Sequence, residues 1–268
     1  MPILARLTTL SAIGLLIVGI SLSRQSSAKD TLRQRLVQDA YSEHLARVQD
    51  VLPKHSGLPP LLDVSKSNTA EGSGERAWED RFKGVMGFGT EIADRGVESP
   101  SRATSISLAT TEGGTRIYAL PAQSCGAVVT AEPVASEARI AQNRLFVYSR
   151  FSLQVSRVLK ANRKLGIRQG QRIVATQFGG SVRFPSGHME TFLLAKDGFL
   201  ELRKQYLLFI WKPAESIQAF MIAQPYQIQG GLVFPVSTIA DVSAYDRMPI
   251  KDFEAKVRTA IAKNVDSN

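Results

Sequence analysis

Leu145-Phe146-Val147-Tyr148-Ser149-Arg150-Phe151-Ser152-Leu153-Gln154-Val155 alternates with a period of two over its whole length. Leu145, Val147, Phe151, Leu153 and Val155 share one face, interrupted only by Ser149, while Phe146, Tyr148, Arg150, Ser152 and Gln154 share the other. Successive side chains of a strand point to opposite faces, so this pattern predicts a long, half-buried β-strand. Downstream, Arg172–Phe178 follows a turn region containing Gly166 and Gly170. Val182–Phe184 and Met189–Leu194 then flank Pro185-Ser186-Gly187-His188, a hairpin tip. Gln205–Trp211 (QYLLFIW) is too continuously apolar for a one-sided surface strand and predicts a central or wrapped position. Ile217–Ala223, Tyr226–Gln229 and Leu232–Val236 complete the set, with Gly230-Gly231 as a tight turn. Upstream, Arg116–Leu120 and Ala127–Val134 read as shorter strands. Pro249 opens a helix with Ile250, Phe253, Val257, Ala260 and Ile261 on one stripe. The expected class is mainly β with minor α: a small OB-like β-barrel over 115–247, then a C-terminal helix and tail over 248–268.

The N-terminal part is organised differently. Leu7–Leu22 carries no charge, follows Arg6 and precedes Ser26-Ser27-Ala28, the order of a secretory signal peptide over 1–28. Residues 7–22 are short for a bilayer span, which makes an uncleaved anchor the alternative. The expectation is an exported chain in the periplasm or cell envelope. From Asp30 to Val48 apolar residues recur at spacings of three and four, predicting an amphipathic helix within 29–52. Residues 53–114 read as a linker, since Ser65–Glu75 holds one alanine as its only apolar residue and Gly84, Gly87 and Gly89 match no phosphate loop. The formal net charge is +9; loss of Arg6 and Arg24 with residues 1–28 lowers it to +7. Cys125 is the single cysteine, so no internal disulfide can form, and it reads as a small hydrophobe at the start of a strand.

From about Ala119 onward, ALPAQSCGAVVTAEPV, FVYSRFSLQVSRVLKAN, GGSVRFPSG, QYLLFIW and YQIQGGLVFPV follow one another in an order that resembles a family of exported bacterial proteins without an assigned activity. Those domains in turn resemble the netrin and tissue-inhibitor-of-metalloproteinase type of OB barrel, which implies the fold class. The chain lacks the disulfides and the leading cysteine of the animal members, so the resemblance implies no protease-inhibitor mechanism and no catalytic residue.

Chemistry is sparse. His44, His55 and His188 have no zinc-ligand spacing, and no cofactor motif is present. Ser186 and His188 lie two apart, which raises a serine-type hydrolase as the alternative function, although Pro185-Ser186-Gly187 is not a nucleophile elbow. The strongest signal is charge. Between Arg139 and Arg183 there are ten cations and no Asp or Glu. Arg144, Arg150, Arg157, Lys160, Arg163, Lys164, Arg168 and Arg172 are therefore the candidate polyanion-binding residues, with Phe146 and Tyr148 as candidate stacking partners. The function expected is a non-catalytic binding or interaction module whose basic face meets an acidic envelope component: an anionic lipid, lipopolysaccharide or a glycan. Nucleic acid is the weaker partner for an exported chain, a protein partner or a purely structural envelope role is the alternative, and residues 7–22 would bring the module near a membrane.

Overall fold

The computed structural model describes residues 35, 38–39, 41–64, 92–96, 102–106, 119–141, 144, 146–212, 220–238 and 240–263. The chain divides into two units, 1–43 and 44–268. In the first, the described residues 35, 38–39 and 41–43 are helical, and the Ser42 hydroxyl donates to the Gln38 carbonyl. In the second, a helix α1 (44–51) precedes eleven strands: β1 (Leu61–Asp63), β2 (Arg102–Ile106), β3 (Ala127–Ile140), β4 (Val147–Ala161), β5 (Arg172–Phe178), β6 (Gly180–Arg183), β7 (Met189–Leu194), β8 (Gln205–Trp211), β9 (Phe220–Gln229), β10 (Leu232–Pro235) and β11 (Met248–Pro249). Helix α2 (Ile250–Ala262) follows.

The fold is mainly β, and β4 behaves as its alternation predicts. Val147, Ser149, Phe151, Leu153 and Val155 are all fully buried, while Arg150, Ser152 and Gln154 on the other face are half-exposed. Ser149, the one polar residue on the inner face, donates to the Gly179 carbonyl at 2.7 Å, so its hydroxyl is not left unpaired in the core. β4 pairs along its length with β3 through three register shifts, two beside Val128–Ala131 and one beside Pro133. Bulges of this kind bend and coil a strand pair, as a curved sheet requires. Strand pairing then runs from β3 to β4, β5, β9 and β8 and back to β3. Counted along the chain, the ring has the order first, second, third, fifth, fourth, and the third and fifth strands are parallel. Only two residue pairs join β5 to β9, so the ring is barrel-like without being closed.

β8 occupies the wrapped position that its composition predicts. Tyr206, Leu208 and Ile210 point into the barrel core, with Phe151, Leu153, Ile173 and Val48 of α1. Leu207 and Phe209 point outward into a second core under α2, with Tyr226, Val233, Phe253 and Val257. The Tyr226 and Phe253 ring centroids are 4.6 Å apart, and the Tyr226 hydroxyl donates to the Ala119 carbonyl at 2.7 Å.

The sequence reading needs correction in three places. The β6–β7 hairpin leaves the barrel and forms the middle of a second sheet, ordered β1-β6-β7-β2. Its outer strands come from the stretch read as linker: β1 pairs parallel with β6, and β2 parallel with β7. Segments this short carry no readable period, and their partners are remote in sequence. Ile217–Ala223 and Tyr226–Gln229 read as two strands, yet Phe220–Gln229 is one strand, β9, in which Pro225 lies opposite Leu208 and its carbonyl accepts from the Val236 N–H at 3.1 Å. Finally, residues 119–120 of the Arg116–Leu120 strand form a bend, and 116–118 lie outside the described residues. Also outside them are the segment 1–28, the run 65–75 and glycines 84, 87 and 89; among the described residues no helix is long and apolar enough to cross a membrane.

Candidate polyanion-binding tip

The turn joining β4 to β5 is built by short-range hydrogen bonds. Asn162 Oδ1 accepts from the Lys164 N–H at 3.0 Å and so caps a single 3-10 turn, Arg163–Leu165, which ends at Gly166 in the left-handed region (φ 65). Gln171 Oε1 accepts from the Arg168 N–H at 3.0 Å, and Gln154 Nε2 donates to the Gly170 carbonyl at 2.8 Å. Ile167 is buried and Leu165 half-buried, both packed into the barrel core, and Leu165 lies so close to Gly126 that a Cβ there would meet its Cδ1 at 2.6 Å. The apolar side chains of the tip thus face inward. Its cations, Arg163, Lys164, Arg168 and Arg172, are exposed and have no ion-pair partner among the described residues.

The remaining candidates are engaged elsewhere. Lys160 Nζ donates to the carbonyls of Ala122, Gln123 and Cys125 at 2.7, 3.2 and 2.8 Å, satisfying the turn before β3. The Arg144 guanidinium donates twice to the Ile92 carbonyl, at 3.2 and 3.3 Å. Arg150 lies 3.7 Å from Glu137, and Arg157 pairs with Glu254 of α2. Arg139 and Arg183, the ends of the cation run, pair with Glu137 and Asp63. The acids absent from the run are therefore supplied by β3, β1 and α2, which the linear sequence could not reveal. Phe146 and Tyr148 are 1% and 3% exposed, and the Phe146 ring stacks on Phe178 at 5.4 Å. Neither offers a face to a ligand, since alternation assigns a side chain to a face without saying whether that face is covered.

Ser186 and His188 do not meet as nucleophile and base. The Ser186 hydroxyl bonds the Asp94 carboxylate and accepts from the backbone N–H of His188 at 3.1 Å. The imidazole Nε2 lies instead 3.4 Å from Glu190, which also holds Arg95 at 3.3 Å. The Ser186 hydroxyl is the main cause holding the Asp94 carboxyl below its usual range. A base must reach the nucleophile's proton, and here the histidine that could do so faces elsewhere. Among the described residues no group of three or more His, Cys, Asp or Glu is placed to hold a metal ion. Cys125 is buried, with its thiol pushed up to about 11 by desolvation, the behaviour of a packed side chain.

The chain matches no family model, no curated protein and no solved structure. Its own geometry must carry the functional reading. A cleft of about 400 Å³ opens between Lys54-His55 and Asp241–Arg247, but both charge signs line it, Asp241 and Asp246 facing Lys54 and Arg247. Among the described residues, the β4–β5 tip, 162–172, carries four exposed cations and no acid.

His44 fits no metal-ligand spacing in the sequence. It is buried, and its Nε2 lies 2.7 Å from the Thr191 hydroxyl, which in turn lies 2.7 Å from the Ser181 hydroxyl, so α1 is bonded to β7. Burial first, then the charges of Arg47 and His188, lowers its pKa below the ordinary 6.5. The folded state therefore keeps His44 neutral while the unfolded chain takes up a proton near 6.5. The contact is fully stabilising above that pH and is lost as pH falls through the lower, folded value. Amide hydrogen exchange in 44–51 should accelerate between pH 7.5 and pH 5 relative to α2, and His44→Gln should remove that difference; equal behaviour of the two helices would refute it.

Proposed function

We propose that this protein is a non-catalytic, exported envelope module that docks on an anionic, phosphate- or carboxylate-bearing surface through Arg163, Lys164, Arg168 and Arg172. The observation that carries the reading is the unopposed charge of these four side chains on a turn anchored by Leu165 and Ile167. Other cations of the run are compensated within the fold, which concentrates the attractive field at one end of the β4–β5 hairpin. Export rests on the signal-like order of residues 1–28, and kinship with the netrin type of barrel rests on the order of motifs from Ala119 onward. Both belong to the proposal.

The test is co-sedimentation of the protein with vesicles of neutral lipid and of neutral lipid mixed with an anionic one. Binding is expected only to the anionic vesicles, and only at low salt. The screening length falls from about 30 Å at 0.01 M to about 8 Å at 0.15 M ionic strength. Equal binding to both vesicle types, or binding indifferent to salt, would overturn the reading.

A further inference from the structure

The cleft between residues 53–55 and 235–247 takes no part in the tip. Small-molecule sites are concave, largely preformed and about 300–1,000 Å³ in volume. This one, at about 400 Å³, has room for a single small ligand. Backbone hydrogen bonds hold both of its walls. On one side the Ser56 N–H donates to the Pro53 carbonyl at 2.9 Å, the Gly57 N–H donates to the Phe199 carbonyl at 2.8 Å, and the Ser56 hydroxyl accepts from the Phe199 N–H at 2.8 Å. On the other, the Thr238 N–H donates to the Lys196 carbonyl at 2.7 Å and the Tyr245 N–H to the Val242 carbonyl at 2.9 Å. The Arg247 N–H donates to the Val233 carbonyl at 2.9 Å, which keeps that arginine in the left-handed region (φ 58) against its own preference.

Lys54, Arg247, Asp241 and Asp246 line the cleft, and all four are exposed. His55 stands in the field of Asp246, Lys54 and Arg247, with its ring packed on Phe234 at 4.5 Å between centroids. Burial is the main cause holding His55 below the ordinary 6.5, so at pH 7.5 it adds no charge and the two cations balance the two acids. None of the four makes an ion pair with a described residue. Asp241 Oδ1 is engaged by the Ser243 N–H at 3.2 Å and the Ser243 hydroxyl at 2.7 Å. The Asp246 carboxylate, the Lys54 ammonium and the Arg247 guanidinium make no hydrogen bond to a described residue. A ligand of one sign would meet like charge here as well as opposite charge, and like charges brought together weaken binding. A ligand carrying both signs is attracted by both. Pro53, Pro235 and Val242 add apolar surface to the lining. We infer that the cleft binds a free α-amino acid with an apolar side chain, its ammonium at Asp246 and its carboxylate at Arg247 and Lys54. The arginine offers paired N–H donors that match a carboxylate. This is a binding function separate from the tip and does not rest on it.

Equilibrium dialysis of the full chain at pH 7.5 against radiolabelled L-phenylalanine and L-leucine tests the site, with the N-acetyl and amide derivatives of each as competitors. At least one of the two free amino acids should bind at one per chain. Each capped form lacks one charge and should compete about tenfold or more weakly, because a hydrogen bond to a charged group is then lost. Asp246→Asn should remove the preference for the free over the N-acetyl form. Lys54→Met combined with Arg247→Asn should remove the preference for the free over the amide form. Failure of both amino acids to bind, capped forms that compete as well as free ones, or variants that discriminate like the parent chain would each overturn the proposal. Binding of O-phosphoethanolamine in place of either amino acid would also overturn it and assign the cleft to a lipid head group. Should a variant not fold, the ranking of free and capped forms on the unaltered chain decides.

Discussion

Changing Arg163, Lys164, Arg168 and Arg172 together to glutamine will lower the partition of the protein onto anionic vesicles about a thousandfold. A cation near an anionic surface contributes about 1 kcal/mol, and every 1.4 kcal/mol is a factor of ten. The variant should fold normally, because these side chains are exposed and make no ion pair with a described residue. Lys160→Met supplies the opposite control. It removes a charge of the same sign but leaves the Ala122, Gln123 and Cys125 carbonyls short of a donor, so it should cost about 1–3 kcal/mol of stability while vesicle binding changes little. Vesicle titrations and urea unfolding of both variants separate the outcomes. A fourfold variant that still binds would remove the tip from the proposal, and a Lys160→Met variant that loses binding at full stability would move the site.

Gly179→Ala will destabilise the fold by about 2–6 kcal/mol, measured by urea unfolding. Gly179 has φ 93, in the region that favours glycine, and Gly180 follows at φ 149. Together they turn the chain out of the barrel at the end of β5 and into β6. Backbone strain of this kind costs about 1–3 kcal/mol, and forcing atoms into a packed site costs about as much again. At Gly179 a Cβ would meet the Phe192 carbonyl at 2.6 Å and the Phe199 ring at 2.9 Å. Because Phe192 and Phe199 lie on either side of the turn that ends β7, the damage should spread to both sheets, and the unfolding transition should move as a whole. A loss below about 1 kcal/mol would mean that the turn relaxes without strain.

The barrel was legible where local chemistry and tertiary position agree. β5 and β8 have the bounds read from sequence because glycines or charged residues flank continuous apolar runs, and β4 declared itself by alternation. β3 extends past the expected Val134 to Ile140, since Glu137 and Arg139 lie on the solvent side and are held by each other and by Arg150. The second sheet was hidden, because a three-residue strand such as β1 takes its meaning from a partner far along the chain. The candidate site was half legible. The cation run was visible, but which members are spent on Glu137, Glu254, Asp63 and the carbonyls of 122–125 depends on pairings that no local pattern encodes.

The second sheet also constrains how the molecule can be made. The Arg183 guanidinium meets Asp63 across 120 residues of sequence, and β1 finds its place only beside β6. A ribosome that has just released Leu61–Asp63 must add nearly half the chain before their partner exists. During that interval the β1 backbone has no ladder to join, while local hairpins such as β3–β4 can already form. Assembly should therefore proceed from the barrel outward, with the earliest-made strands docking among the last.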